Sequence, residues 1–236
     1  MDFTELMASN LRSVILWSSS LLCLSITPPA LAQGAADATS NPTTTIVLAR
    51  TGVRLDEPHV GTYHYLEIIQ SRGSWIYPDI GYIDFATNTY REVFVGGGRA
   101  LLDNKRVTLI EEPFFDRAFG PAARGASYLM PWTMLQVRFT PKFNNETVYF
   151  LYLPLNDSAR IQHVLERSKF EYALKKSLKA GIGYGAYKFG DTDWDHRPFA
   201  TTTISTGAGA FEFWLQKMPG GAQVQFRYML VHTGRR

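Results

Sequence analysis

From Gly61 onward the chain alternates apolar and polar residues with a period of two, and no window keeps a 3.6-residue period over three turns. Such alternation, rich in Val, Ile, Tyr, Phe and Thr and broken by Gly, Pro, Asn and Asp clusters, is the pattern of strands with two unlike faces. It predicts ten strands, over 62–70, 75–85, 90–96, 105–112, 128–140, 146–155, 160–174, 178–189, 199–216 and 222–233. The clearest unit is KFEYALKKSLKAGIGYGAYKFG, Lys169 to Gly190. Phe170, Tyr172 and Leu174 share one face there, and Lys169, Glu171, Ala173 and Lys175 the other. After a tight turn at Lys176-Ser177, the apolar face continues through Leu178, Ala180, Ile182, Tyr184 and Ala186, against Lys179, Gly181, Gly183 and Gly185. The last hairpin repeats the logic: Phe211, Phe213 and Leu215 alternate with Glu212 and Gln216, with Trp214 breaking the polar face. Beyond the turn Met218-Pro219-Gly220-Gly221, Val224, Phe226, Tyr228 and Leu230 oppose Gln223, Gln225 and Arg227.

An isolated ladder of this kind does not stand in water, so the strands must share one buried face. Closure of the sheet achieves that and removes both edges. The expected fold is therefore all-β, a closed antiparallel up-and-down β-barrel of about eight to ten strands. Residues 61–236 are assigned to it.

The first 60 residues read differently. Ser13 to Ile26 is an apolar run, Thr27-Pro28-Pro29 breaks it, and Ala30-Leu31-Ala32 precedes Gln33 as a small-x-small cleavage site, so 1–32 is expected to be a signal peptide. That run is too short and too rich in serine to span a bilayer as a helix, which needs about 20 apolar residues. Residues 33–60 open with QGAADATSNPTTT and are expected to be a flexible leader, with Ile46-Val47-Leu48 as a possible short strand. The only cysteine, Cys23, lies in the signal, so the exported part has no disulfide framework and no Cys-based zinc site. At 45% hydrophobic residues the chain is no disordered protein, and a net charge of +3 over 236 residues argues against nucleic acid as a partner.

Alternation does not reveal which face is wet: a soluble barrel turns its apolar face inward, a membrane barrel turns it to lipid. Export without disulfides, small glycines beside long Lys and Glu side chains, and aromatics near strand ends (Trp75, Tyr77, Tyr149, Tyr187, Phe189, Trp194, Phe199) favour lipid. The hairpin KFEYALKKSLKAGIGYGAYKFGD resembles the strand–tight turn–strand units of bacterial outer-membrane β-barrel proteins, and VRFTPKFNNETVYF and FEFWLQKMPGGAQVQFRYMLVH resemble them more loosely. The resemblance implies an outer-membrane barrel, structural or pore-like, with lipid and small solutes as its partners, and it brings no catalytic motif. On that reading Lys169, Glu171, Lys175, Lys179, Gln225 and Arg227 line the lumen, while Tyr172, Leu178, Ile182, Tyr184, Phe226 and Tyr228 face lipid. With ten strands and both termini at one end, the short turns Lys176-Ser177 and Met218–Gly221 fall at the far end, where long loops are expected. The long connections 113–127 and 190–198 then fall beside the termini. Two alternatives stay open: a soluble periplasmic barrel with the same aromatics lining an apolar cavity, and a lipid-modifying enzyme using His163, His196 or His232.

Candidate chemistry is sparse. Asp191, Asp193, Asp195 and His196 in GDTDWDHRP offer oxygen ligands but lack an EF-hand pattern, so a solvated loop is the expectation. Glu111 and Glu112 are adjacent and should point to opposite faces. They open the segment IEEPFFDRAFGPAARGAS, expected to be irregular, in which Phe114, Phe115 and Phe119 are candidates for a plug or constriction. Gly96-Gly97-Gly98 lacks a following helix and reads as a turn or bulge rather than a phosphate loop. The five histidines show no metal spacing, no serine sits in a nucleophile elbow, and Asn145-Glu146-Thr147 reads as a turn. No catalytic residue, metal site or cofactor is expected. The basic residues Arg99, Lys105, Arg106, Arg124, Arg138, Arg160, Arg167 and Arg227 are scattered, and would favour anionic solutes if many faced the lumen.

Overall fold

The computed structural model describes residues 42–55, 62–85 and 90–234. They form twelve strands: β1 (Thr43–Arg54), β2 (Thr62–Arg72), β3 (Trp75–Asp84), β4 (Arg91–Asp103), β5 (Val107–Phe119), β6 (Ser127–Arg138), β7 (Phe143–Pro154), β8 (Gln162–Lys175), β9 (Leu178–Phe189), β10 (Asp195–Thr206), β11 (Gly209–Met218) and β12 (Gly221–Thr233). Each strand pairs antiparallel with its sequence neighbours, and β12 pairs with β1 from Thr44↔Thr233 to Arg54↔Gln223, closing the barrel. The predicted signal peptide lies outside the described residues.

Twelve strands replace the eight to ten expected, for two local reasons. The segment 199–216 is not one strand: the small residues Gly207-Ala208 turn the chain between β10 and β11. The segment 43–54, expected to belong to a flexible leader, is the β-branched strand β1. Its partners are the next strand and the last one, and only the last, about 190 positions away, closes the sheet. Two further corrections follow. Residues 107–119 form a regular strand, so the irregular connection shrinks to 120–126. Gly96-Gly97-Gly98 lies within β4, which continues to Asp103, so it does not turn the chain, and the β3–β4 register shifts beside it between Ile76 and Asp79, as the bulge reading expected.

The recount reverses the parity of most connections. Five short turns, at 73–74, 104–106, 139–142, 176–177 and 207–208, share one end of the barrel with the start of β1 and the end of β12. The connections at 120–126, 155–161 and 190–194 are longer and occupy the opposite end, towards which β1 and β3 also run, with the short turn 219–220 as the exception. This is the asymmetry of bacterial outer-membrane barrels.

Polarity runs inside out relative to a soluble domain. Ile182, Tyr172, Leu174, Leu215, Ile68, Ile80 and Phe226 are exposed on the outer face, Ile182 at 70%. Glu67, Asp79, Glu112, Lys169, Glu171, Gln216 and Arg227 are buried within. Aromatic rings also occupy the interior: Phe199 stacks on Trp214 with centroids 4.1 Å apart and planes 8° apart. Gly183, opposite Phe199 in the β9–β10 register, makes that stack possible, because a Cβ on it would lie 2.2 Å from the Phe199 ring. Trp214 blocks the ring's retreat. Gly183→Ala is expected to destabilise the barrel by about 1–3 kcal/mol through overpacking, read as an earlier urea midpoint in detergent micelles. An unchanged midpoint would mean the Phe199 ring moves aside freely.

Candidate functional site: the barrel interior

The interior is layered along the barrel axis. At the long-loop end an aromatic layer fills it: Phe94 meets Phe114 edge-on at 5.3 Å, and Tyr128 meets Tyr152 at 5.1 Å. Ala118, Met130 and Val164 pack around them, and Ala123 and Ala126 tuck in from the 120–126 loop. Of the three rings expected to plug an opening, only Phe114 is inside; Phe115 and Phe119 are exposed. On the opposite wall of this layer, Gln225 donates to Gln216 at 2.6 Å and to Gln223 at 2.9 Å.

Beneath lies a belt of charge. A bulge in β8 breaks strict alternation, so that the consecutive residues Glu166 and Arg167 are both buried. Arg167 pairs with Glu146 and Glu166, Arg50 pairs with Glu166, and Lys169 pairs with Glu212. Lys169 also stands 3.4 Å from Glu171, and Arg227 stands 3.3 Å from Glu212 while lying 4.9 Å over the Trp214 ring. Every cation of this wall is thus matched by carboxylates. Matching is required, since a lone buried charge costs several kcal/mol.

The facing wall, on β2 to β5, is different. Asp79 sits between Glu67 and Glu112, close enough to share protons with both. One oxygen each of Asp79 and Glu112 has no hydrogen-bonding partner, as have both oxygens of Asp116 nearby. Glu92 accepts from the Tyr90 hydroxyl at 2.7 Å and from the Tyr152 hydroxyl at 3.1 Å. Buried residues of β2 to β5 include no Lys or Arg. Glu111, next to Glu112, points the other way and accepts from the Thr133 hydroxyl at 2.8 Å, as strand alternation requires.

Between the charge belt and the short-turn end lies a cavity of about 280 Å³. Its floor carries Arg50, Arg167 and Arg227 with the acidic wall opposite, and its sides are Ile46, Leu48, Ile69, Ile110, Met134 and Met229.

The six polar residues assigned to the lumen from the sequence are distributed as follows. Lys169, Glu171, Gln225 and Arg227 are buried inside the barrel, and Lys179 is half-buried. Lys175 is exposed at the end of β8, where the register shifts after Ala173 and the turn begins. Of the six assigned to lipid, Tyr172, Ile182, Tyr184 and Phe226 are exposed, and Leu178 and Tyr228 are half-buried. Sequence reasoning did not single out Arg50, Glu67, Asp79, Glu146 or Glu166. Arg50 lay in the supposed leader, and Glu166 needs the bulge to enter. Glu67 sat on a strand read correctly, and counting parity along β2 would have found it; Asp79 enters the interior only after the register shift in β3 between Ile76 and Asp79.

The remaining motifs lie apart from the charge belt and the cavity, with Asp195 on the inward side of β10 in step with the buried Phe199. Asp195 is paired with Arg197, and His196 with the Tyr184 hydroxyl. His163 bonds the Tyr149 hydroxyl at 3.1 Å, His64 the Thr51 hydroxyl at 3.2 Å, and His232 is exposed. His59 lies outside the described residues.

No protein-family description matches the sequence, and no curated protein does. Solved structures do match. A KdgM porin aligns with a TM-score of 0.55 at 12% identity, covering 80% of this chain and 99% of the porin. The NanC porin aligns with the same TM-score and coverage at 11% identity. The chain has a porin fold. A second KdgM structure, in complex with disordered oligogalacturonate, aligns equally well at 13% identity. In this fold the interior is the space enclosed by all twelve strands.

Proposed function

We propose that this protein is a bacterial outer-membrane barrel that admits small solutes to a polar interior. The observation that carries the reading is the inverted polarity: rings and aliphatic side chains stud the outside, while carboxylates, amides and guanidinium groups fill the centre. Exposed apolar surface on that scale is unfavourable in water and suits hydrocarbon. The short-turn end would then face the periplasm and the longer loops the exterior. The soluble-carrier alternative needs Tyr172, Ile182, Tyr184 and Phe226 around a central cavity, and they are on the outer face instead. The enzyme alternative draws no support from His163 and His196, whose recorded partners are tyrosine hydroxyls on neighbouring strands.

Passage is expected to be restricted. The aromatic layer narrows the long-loop end, so only small solutes would cross. The test has two parts. The protein should be extracted from envelopes only with detergent and should migrate differently before and after boiling; recovery in a detergent-free extract would overturn the membrane setting. Proteoliposomes should then swell in small sugars faster than protein-free vesicles, and equal rates would overturn passage.

A further inference from the structure

We propose that the cavity at the short-turn end is a binding site for small organic cations with an apolar tail, such as primary alkylammonium ions. The acidic wall Glu67–Asp79–Glu112 would hold the ammonium group. The inference rests on reading the interior as space open to solutes, and it adds the class of solute.

Three observations carry it. The first is charge balance: the cavity is lined by three arginines and seven carboxylates. All three arginines already pair with Glu146, Glu166 or Glu212, so their charge is matched, although Arg50 Nε has no hydrogen-bonding partner. The second is the unmet bonding of the acidic wall. Asp79 is 1% exposed and Glu112 4% exposed, yet each has an oxygen with no partner. Three carboxyl groups in a row, without a base among them, must share protons between each pair or accept donors from elsewhere. An ammonium group carries three N–H donors and a positive charge, and so supplies both needs at once. The third is the wall above this floor. Ile46, Leu48, Ile69, Ile110, Met134 and Met229 line the cavity sides, so a ligand entering from the short-turn end lays a hydrocarbon tail against them.

The proposal runs opposite to a simple transfer from the porin neighbour bound to a sugar-acid chain. There, the solute named is an oligogalacturonate. Here the cavity's arginines are already engaged by Glu146, Glu166 or Glu212, which leaves them no unmatched charge for such a chain. No covalent step is involved; the ion binds intact.

The test uses the folded full-length protein in detergent micelles and three probes of equal length: n-butylammonium, n-butanol and butyrate. Trp132 pairs with Glu112 across β5 and β6 and lines the cavity, so its fluorescence reports occupancy, with Trp132→Phe protein subtracting the other indoles. Butylammonium is expected to bind at least about tenfold more tightly than butyrate, with butanol between them. In the Asp79→Asn/Glu112→Gln double variant the ammonium-to-butanol preference is expected to disappear. Butyrate binding as tightly as butylammonium would overturn the proposal, as would an ammonium preference unchanged in the double variant. Should that variant fail to fold, the three-probe comparison on the unaltered protein still decides. Binding in micelles does not require passage across a membrane. Ammonium binding without vesicle swelling would therefore defeat the pore reading alone, and swelling without ammonium preference would defeat this inference alone.

Discussion

Lys169→Met is expected to cost the barrel about 3–5 kcal/mol, the range for removing one partner of a buried charge pair. Lys169 is 3% exposed and its ammonium pairs with Glu212, with Glu171 at 3.4 Å and Glu146 at 3.9 Å. Methionine preserves most of the side-chain volume, so packing loss is minor and the effect reports charge. The variant leaves Glu171 with the Thr203 hydroxyl as its donor, and leaves Glu212 with Arg227 at 3.3 Å. Three carboxylates then crowd a site that has lost its central cation. The measurement is reversible urea unfolding in lipid vesicles. Lys175→Met, six residues along the same strand but exposed, is expected to change stability by less than about 0.5 kcal/mol. Adding Glu212→Gln to Lys169→Met should recover part of the loss, because it removes one of the stranded charges. A loss below about 1 kcal/mol for Lys169→Met would mean that water inside the barrel screens the network as it does at a surface.

Ile182→Arg is expected to destabilise the folded barrel in a bilayer by about 2–4 kcal/mol if its position lies near the midplane. Ile182 is 70% exposed on the outer face of β9, between Phe170 of β8 and Ala200 of β10 in register. Nothing inside the barrel touches it, so the cost arises from the medium outside. That origin gives the experiment its discrimination. In a protein surrounded by water, an arginine at so exposed a position would be close to neutral. In hydrocarbon it must thin the bilayer or extend its side chain towards the headgroups. The loss should be larger in vesicles than in micelles, whose small apolar core lets the guanidinium reach water. Equal stability of Ile182→Arg and the unaltered protein in vesicles would place that face outside the hydrocarbon.

Much of the architecture was legible because a barrel strand writes its two faces into alternate positions. The β8–β9 hairpin and the turn between β11 and β12 were read to within a residue or two, since Lys176-Ser177 and Pro219-Gly220 interrupt a regular pattern. Other elements were hidden for local reasons. Gly207-Ala208 joins two alternating strands through residues as small as those around them, so the turn left little mark. Thr43 to Arg54 has a Thr-rich start resembling a linker, and its strand character depends on β12, far away in sequence. Missing two strands reversed the expected end for every connection but the last turn at 219–220, which is why most of the loop asymmetry looked wrong and then resolved.

The sequence by itself determined that the chain is a sheet of two-faced strands with tight turns, because side-chain alternation is a local property of extended backbone. It also determined that Glu111 and Glu112 separate, for the same reason. Tertiary structure decided which face is enclosed, how many strands close the ring, and which charges meet. Glu67, Asp79 and Glu112 come together from three strands, and Arg50 reaches Glu166 only across the closed barrel. Such meetings depend on closure, register and one bulge, and these are set by the whole ring of hydrogen bonds rather than by any single segment of it.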